Sequence, residues 1–383
     1  MRLLHTSDWH LGRSFHREDL LGAQAQFVDF LVDTVRAEGI HVVVVSGDIY
    51  DRALPSVDAV RLCNETLLRL AATGVRVVLI SGNHDSATRL GFGADLIDAA
   101  GIHLRTDPGR CGDPVLLDDE HGPVAVYALP YLEPDAVQTD LGCAGRGHRA
   151  VLDAAMSRVR ADLAGRTGSR SVALAHAFVA GGDVSDSERD ISVGGVSAVP
   201  GSTFAGVDYV ALGHLHGAQT LASGVRYSGS PIAYSFSETA HTKGMWLVEL
   251  GAQPGSDCAA QLVPTPVHRP LARLRGRLDD LLVDPRWEAQ AGHYLQVVLT
   301  DPVRPRDPME RLRSRFPHVL VLGFEPEGGA APDALSYAAR LRGRSDMEVA
   351  TDFVDHVRSP ADAAEGALLE QALEAARLAE AAR

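Results

Sequence analysis

The sequence lacks the features that mark membrane proteins, disulfide-stabilised proteins and ATPases. Its apolar runs stay below the roughly 18 residues that span a bilayer, so we expect no membrane segment. The four cysteines are far apart and form no C-x-x-C pair, which favours free thiols in a reducing compartment over disulfides. A strand pattern begins at residue 2 and leaves no space for a cleaved signal, so we expect a cytoplasmic protein. No Walker motif is present, so any ATP dependence must come from another chain.

Positive charge is scarce and unevenly distributed. The net charge is −14, and Lys243 is the single lysine among 36 basic residues, a preference for arginine to which we attach no function. Residues 1–263 carry 20 basic and 31 acidic side chains, residues 264–345 carry 13 and 10, and residues 346–383 carry 3 and 9. An acidic chain is electrostatically a poor nucleic-acid ligand. The basic middle block, together with acids that are candidate metal ligands, leaves nucleic-acid binding open.

Strand and helix patterns alternate along the first 263 residues. Apolar, β-branched runs predict buried strands near residues 2–6, 42–46, 75–80, 124–129, 171–176 and 208–212. Helical periodicity predicts helices over residues 22–38, 56–73, 88–100 and 148–164. We expect a long functional loop at 181–206 and a last strand pair at 224–228 and 245–250. The alternation predicts a layered α/β domain.

The character of the sequence changes near Pro264. Patterns of strand, helix, strand (294–299), helix (309–316) and strand (319–324) predict a small α+β domain. A linker rich in Gly, Ala and Pro follows at 326–334, and Ser359 is a candidate N-cap for a tail helix. We therefore expect three domains, over residues 1–263, 264–340 and 346–383.

Polar clusters follow five of the predicted strands. They are Asp8-Trp9-His10, Gly47-Asp48, Gly82-Asn83-His84-Asp85, His176 and Gly213-His214-Leu215-His216. The carboxyl ends of strands are where open α/β sheets place their ligand sites. The clusters supply three carboxylates, one amide oxygen and five imidazoles, enough for two divalent metal ions.

The residue types in these clusters suit catalysis with two metals. The two carboxylate oxygens of Asp48 can bridge cations ~3.5–4 Å apart, and Asn83 adds a neutral oxygen. In the alternation of His84 and Asp85, we expect the imidazole to face the substrate and the carboxylate to orient it from behind. Mixed nitrogen and oxygen ligands favour Mn, Fe, Co or Zn over Ca or Mg.

Each cluster taken alone has a structural explanation. Asp8 could cap a turn, and an isolated His176 on an apolar strand could be a core histidine. Five ordered clusters at five strand ends argue against that explanation. For Arg13, Arg52 and Arg89, which follow the clusters, contact with phosphates and a solvated surface position both stay open, and we expect Asp51 to brace its loop.

In their order, the patterns D-x-H, G-D, G-N-H-D, H and G-H-x-H resemble those of the calcineurin-like metallophosphoesterases. Further segments resemble the family of SbcD-type nuclease subunits: SDWHLGRSF, GDIYDRA, SDSERDISVGG, DYVALGHLHGAQ, YSGSPIAYSFSE followed by KG, HRPLARLRG and MERLRSRFP. This similarity runs through nearly the whole chain. It implies a layered sandwich domain, a small α+β capping domain and a C-terminal helical tail.

The resemblance also implies roles for the clustered residues. The first metal would be held by Asp8, His10, Asp48 and His216. The second would be held by Asp48, Asn83, His176 and His214. His84 would be the catalytic histidine near the scissile phosphate, and Asp85 would support it.

The implied activity is Mn²⁺-dependent hydrolysis of DNA in replication, repair and recombination. It comprises 3′→5′ exonuclease action on double-stranded ends and endonuclease cutting at hairpins, gated by an SbcC-type ATPase that carries a coiled coil. A homodimer within a heterotetramer is implied as well. The apolar face of the tail, with Leu369 and Leu373 and the upstream Phe353, would either grip that coiled coil or dock on the chain's own nuclease domain.

Two other functions use the same fold. A phosphomonoesterase or cyclic-nucleotide phosphodiesterase would bind the same metals, but it would not need the basic block at 264–345 or a helical tail. A non-catalytic scaffold would be expected to lose ligands, and in this sequence none is missing. The sequence therefore favours a DNA nuclease.

Overall fold

The computed structural model describes residues 1–191, 198–327, 344–357 and 360–381, which form two compact units, Met1–Pro270 and Leu271–Arg383. Most of the expected linker at 326–334 and the expected cap Ser359 lie outside the described residues. Among those that are described, no helix has the length and apolar character needed to cross a membrane.

The first unit is built from two six-stranded sheets and the helices that cover them. Its strands are β1 (Arg2–Thr6), β2 (Ser14–Phe15), β3 (Glu18–Asp19), β4 (Val42–Val45), β5 (Arg76–Ile80), β6 (Ile102–Arg105), β7 (Val115–Asp119), β8 (Gly122–Leu129), β9 (Arg170–His176), β10 (Tyr209–Gly213), β11 (Gln219–Ala222), β12 (Val225–Tyr227), β13 (Gly244–Glu249) and β14 (Ala259–Pro264). Its helices are α1 (Leu21–Ala37), α2 (Val57–Thr73), α3 (Ala87–Leu90), α4 (Ala94–Ile97), α5 (Pro134–Leu141) and α6 (Gly147–Ala164).

The strand order differs between the two sheets. The first sheet has the order β14-β13-β1-β4-β5-β6, and the second has the order β11-β12-β10-β9-β8-β7. In the first sheet β1, β4, β5 and β6 run parallel, and in the second β8, β9, β10 and β12 do so. Parallel strands bring their carboxyl ends to one edge, so each sheet presents several loops together.

Three apolar layers hold the sandwich together. Valines and leucines of both sheets, such as Val44, Val126 and Leu174, are buried between them. Phe27 of α1 packs on the outer face of the first sheet, and Met156 of α6 packs on the outer face of the second. These layers confirm the predicted α/β sandwich, whose strands are covered on both faces and are therefore apolar throughout.

Two local predictions were wrong. The region 88–100 is not one helix but α3, α4 and a 3₁₀ turn, because Gly93 adopts a left-handed φ of 75° that interrupts the helix. The strands expected to pair near 226 and 247 lie in different sheets, since β12 pairs with β10 while β13 pairs with β1. Local patterns identify a strand but do not identify its neighbour.

The second unit contains a small parallel sheet and a helical tail. The sheet has the order β15-β16-β17, with β15 (Leu271–Gly276), β16 (Tyr294–Leu299) and β17 (Val319–Phe324). Helices α7 (Leu278–Val283) and α8 (Pro308–Arg315) connect the strands, as the sequence predicts. The tail forms α9 (Asp346–Val357) and α10 (Ala363–Ala381), which confirms that it is helical.

Candidate metal centre

The five polar clusters come from loops of both sheets, rather than from a single sheet edge. Asp8 and Asp48 follow β1 and β4 of the first sheet, whereas His176 and His214 lie at the ends of β9 and β10 of the second. Hydrogen bonds join the two groups: the His214 backbone N–H donates to Asp8 Oδ1 at 3.1 Å, and His176 Nδ1 lies 2.9 Å from the Ser46 carbonyl oxygen. The clusters therefore converge where the carboxyl ends of the two sheets meet.

Left-handed backbone conformations direct several of these side chains. Asp8, His10, Asp48 and His214 have φ values of 52°, 45°, 52° and 105°, although none is a glycine. Such conformations cost about 1–3 kcal/mol each and persist where the surrounding structure enforces them, typically at functional sites. The strain therefore supports a functional role for the turns that follow the strands.

Glycines permit the close approach of the strand ends. A Cβ on Gly82 would lie 2.1 Å from Asp48 Oδ1, and one on Gly213 would lie 1.9 Å from the Ser46 carbonyl oxygen. Neither position has space for any side chain. The glycines of the G-N-H-D and G-H-x-H patterns thus allow the candidate ligands to meet.

The first group of candidate ligands gathers around His10. Its Nε2 lies 3.1 Å from His216 Nε2 and 3.5 Å from Asp48 Oδ2. Asp8, His10 and His216 each offer a ligand atom within 4.8 Å of the others, and all three are buried. Together with Asp48, these residues are the set that the family resemblance implies for the first metal.

The second group gathers around Asn83. The Asn83 Oδ1 lies 2.9 Å from His176 Nε2 and 3.2 Å from His214 Nδ1. The same His176 Nε2 is 3.6 Å from Asp48 Oδ2, so Asp48 contacts both groups. The structure thus brings all seven proposed ligands together, with Asp48 between the two halves.

Burial dominates the electrostatics of the centre. It raises the pKa of Asp8 to about 6 and lowers the pKa of His176 to about 3. Burial together with the nearby charges of Asp8 and Asp85 raises the pKa of Asp48 well above its ordinary value. It also lowers the pKa values of His10 and His214. Neutral imidazoles beside buried carboxylates form a donor set suited to divalent metals.

One unsatisfied polar atom lies in the first group. His10 Nδ1 is buried and has no hydrogen-bond partner among the described residues. Buried polar groups without partners are rare in native proteins and often mark an ion or ligand site. The imidazole nitrogens and carboxylate oxygens that face one another are atoms of the kind that divalent metals bind, so the residues present fit such ions.

His84 lies beside the first group and is half-buried. Its Nδ1 is 2.8 Å from the Asp51 carbonyl oxygen, and its ring is edge-on to the His10 ring at a centroid distance of 4.7 Å. Its backbone N–H donates to Asp48 Oδ1 at 2.9 Å. Since a carbonyl oxygen only accepts, Nδ1 carries the proton, and Nε2 of the neutral ring stays available.

Asp85 does not orient the His84 ring in the way we expected. Its carboxylate accepts backbone N–H groups of Ile49, Tyr50 and Gly82, at 3.0, 2.9 and 2.9 Å. These bonds tie the loop after β4 to the loop after β5, and Asp51 takes over the orientation of His84 through its carbonyl oxygen. Residues 83–85 form a bend in which the Asp85 carboxylate meets these backbone donors, so the expected pairing with the His84 ring is not seen.

The structure separates the three arginines near the clusters. Arg13 is 17% exposed, its Nη2 donates to the Ser187 carbonyl oxygen at 3.0 Å, and its guanidinium lies 4.9 Å from the Tyr234 ring centre. Its Nη1 is buried without a partner among the described residues. Arg52 is 81% exposed, and Arg89 donates to the Ala53 carbonyl oxygen. Arg13 alone of the three is fixed beside the centre.

Sequence reasoning missed a set of buried residues behind His216. Ser187, Glu238 and Lys243 are 8%, 2% and 8% exposed, and all of them contact His216 or its neighbours. Lys243, the single lysine, forms an ion pair with Glu238. A lone lysine in a chain that otherwise uses arginine was the available signal.

The chain is similar to two protein families and to several solved structures. The family described as calcineurin-like phosphoesterase matches residues 1–135, and the family described as type 5 capsule protein repressor C-terminal domain matches residues 267–358. Similar solved structures include a dimetal phosphatase from Danio rerio, 15% identical with a TM-score of 0.38, which covers 70% of this chain and 97% of that chain. Another is GAP50, the anchor in the inner membrane complex of Plasmodium, 11% identical with a TM-score of 0.42 over 87% of this chain and 99% of that chain.

The fold and the ligand set define a metal-dependent hydrolase of the calcineurin-like phosphoesterase class. One relative is more specific: the SbcD subunit of the nuclease SbcCD from Staphylococcus saprophyticus is 31% identical over 326 residues, which cover 84% of each chain. The chain belongs to this SbcD family of nuclease subunits.

Proposed function

We propose that this protein hydrolyses DNA phosphodiester bonds as the nuclease subunit of an SbcCD-type complex. Its activities would be 3′→5′ exonuclease action on double-stranded ends and endonuclease action on hairpins, in DNA replication, repair and recombination. The observation that carries the proposal is the convergence of seven candidate ligands in two groups, both of which contact Asp48, in a chain similar to an SbcCD nuclease subunit over 84% of its length.

We propose two divalent metal ions, Mn²⁺ in the cell. Asp8, His10, Asp48 and His216 would hold one ion, and Asp48, Asn83, His176 and His214 the other. When bound, such ions supply Lewis acidity that activates water and neutralises charge on the phosphate.

The residues around the metals have separate tasks in this proposal. His84 donates its Nδ1–H to the Asp51 carbonyl oxygen, so it would stabilise or protonate the departing 3′ oxygen as the imidazolium, after Nε2 has taken up a proton from solvent. Asp85 acts indirectly, because it fixes the loops that carry Asp48 and His84. Arg13, whose Nη1 has no partner among the described residues, would contact a phosphate of the DNA.

We propose the domain division that the sequence predicts. Residues 1–263 would be the nuclease domain, and residues 264–340 the capping domain that recognises DNA, supported by the charge of +3 over 264–345. Residues 346–383 would bind the coiled coil of an SbcC-type ATPase. Phe353, Val357 and Leu368 are 53%, 48% and 65% exposed, and they lie on or beside an apolar groove of about 410 Å³ between α9 and α10, which leaves an apolar surface for a partner helix.

A second copy of the chain would complete the assembly as a homodimer within a heterotetramer. Leu68 and Phe92 are 63% and 89% exposed and line an apolar groove of about 610 Å³ beside α2. Monomeric proteins rarely expose contiguous apolar patches of large area.

The four cysteines are free, which supports a cytoplasmic location.

An end-labelled duplex hairpin tests the proposal. We expect Mn²⁺-dependent digestion that increases with an SbcC-type partner and ATP. Efficient hydrolysis of a nitrophenyl ester or a cyclic nucleotide, with no cutting of the hairpin, would favour the phosphomonoesterase or cyclic-nucleotide phosphodiesterase alternative instead.

A further inference from the structure

Hydrogen bonds engage the backbone N–H, the carbonyl oxygen and the Nδ1 atom of His216, whereas its Nε2 faces the other candidate ligands. Its backbone N–H donates to Glu188 Oε1 at 2.7 Å, and its carbonyl oxygen accepts from Lys243 Nζ at 2.7 Å. Its Nδ1 lies 2.6 Å from Ser187 Oγ. The remaining atom, Nε2, lies 3.1 Å from His10 Nε2. This environment fixes both the position and the rotation of the ring.

The proton positions follow from the acceptors that are present. Ser187 has one hydroxyl proton, and Oε1 of Glu238 lies 2.5 Å from Ser187 Oγ. A carboxylate is a stronger acceptor than a hydroxyl or an imidazole nitrogen, so the Ser187 hydroxyl donates its hydrogen bond to Glu238. The neighbouring hydroxyl of Ser185 donates to a different carboxylate, that of Glu188, with its Oε2 at 2.8 Å. Ser187 Oγ must then accept a hydrogen bond from the Nδ1–H group of His216.

Lys243 fixes the Glu238 carboxylate, which accepts the hydrogen bond from Ser187. Its ammonium has three N–H donors and contacts three acceptors: the His216 carbonyl oxygen at 2.7 Å, Ser230 Oγ at 2.9 Å and the Glu238 carboxylate. The positive charge favours the ionised form of Glu238, which can only accept hydrogen bonds.

We propose that Lys243, Glu238 and Ser187 form a positioning relay that holds His216 as the Nδ1–H tautomer and so presents an unprotonated Nε2 to the metal. The inference rests on the proposed metal centre and adds to it the residues that prepare one ligand. The Ser185–Glu188 segment (residues 185–188) thereby becomes part of the centre, although it lies about 30 residues from His216 in the sequence. Loss of such supporting groups typically costs 10–100-fold in metal affinity.

Titration calorimetry with Mn²⁺ and no DNA tests the relay. We expect Ser187→Ala to weaken one of two bound Mn²⁺ ions by 10–100-fold and to leave the other unchanged, while Ser187→Thr, which keeps a hydroxyl, restores most of the affinity. Ser171→Ala is the matched control, because Ser171 is a buried serine that also donates to a carboxylate, Asp208 Oδ2 at 2.8 Å. It should bind both ions as the wild type does. Unchanged affinities in Ser187→Ala, or equal weakening of both ions, would overturn the relay.

A second measurement does not depend on the metal. In the metal-free wild-type protein, ¹⁵N imidazole spectra should show His216 protonated at Nδ1 and unprotonated at Nε2. The opposite tautomer would refute the relay even if Ser187→Ala does not fold. A wild-type chain that binds no Mn²⁺ while His216 shows the expected tautomer would refute the proposed metal function and leave the relay supported.

Discussion

Replacement of His84 separates the chemistry from metal binding. The side chain is half-buried, and its polar contact is one hydrogen bond to the Asp51 carbonyl oxygen, 2.8 Å long. The contact that links this residue to Asp48 comes from its backbone N–H, which His84→Ala retains. We therefore expect a folded protein with two bound metal ions.

Turnover should fall in the same variant. Removal of a positioned acid or base costs ~10²–10⁴-fold in rate, which corresponds to about 3–5 kcal/mol in activation free energy. His84→Gln keeps a hydrogen-bond donor near Asp51 but cannot transfer a proton, so it should lose a similar factor. His121→Ala, which removes an exposed histidine from the turn between β7 and β8, is the control and should cut DNA at the wild-type rate.

Two measurements on the same samples decide whether His84 acts in the reaction or binds a metal. They are the metal content and the single-turnover cleavage of a labelled hairpin. His84 offers a ligand atom within 4.8 Å of those of His10 and Asp48, so a role as a metal ligand is the competing assignment. Loss of one metal ion from His84→Ala would establish that competing role. Wild-type turnover in His84→Ala would show that the residue takes no part in the reaction.

Three other predictions concern the bridging carboxylate of Asp48, the helical tail, and the ion pair between Arg170 and Asp119 with its pH dependence. Asp48→Ala should lose bound metal and nuclease activity together, because Asp48 contacts both ligand groups, and retention of two Mn²⁺ per chain would contradict the bridging role. Deletion of residues 346–383 should leave metal-dependent nuclease activity intact and abolish both co-purification with an SbcC-type partner and ATP stimulation; continued assembly with that partner, or an unfolded product, would refute the tail assignment. Arg170→Met should lower the free energy of unfolding by about 1.5–3 kcal/mol, because it removes the guanidinium that binds the Asp119 carboxylate, while the ion pair of Asp119 with the Met1 ammonium at 2.6 Å remains. Arg170 holds the pKa of Asp119 below its ordinary value, so this stabilisation is present above about pH 4 and is lost as pH falls further. In the variant, the free energy of unfolding measured with a chemical denaturant should therefore depend less on pH below about pH 5.

The sequence alone determined the local elements and the chemistry they carry. Continuous valine runs such as Val42–Val45 are typical of strands covered on both faces, and polar residues directly after them mark strand ends. The order and spacing of Asp8, Asp48, Asn83, His176 and His214 were therefore sufficient to predict a two-metal centre. These are short-range properties, fixed by residue type and periodicity.

Tertiary structure decided which elements meet and what supports each ligand. The candidate ligands come from two sheets, and this arrangement depends on packing between strands far apart in the chain. His84 is oriented by the Asp51 carbonyl oxygen, which no side-chain pattern encodes. Ser187, from the loop after β9, meets Glu238 and Lys243, from the connection between β12 and β13, beside His216. Supporting contacts of this kind depend on distances set by the whole fold, because hydrogen bonds require atoms to lie within about 3 Å whatever their separation in sequence.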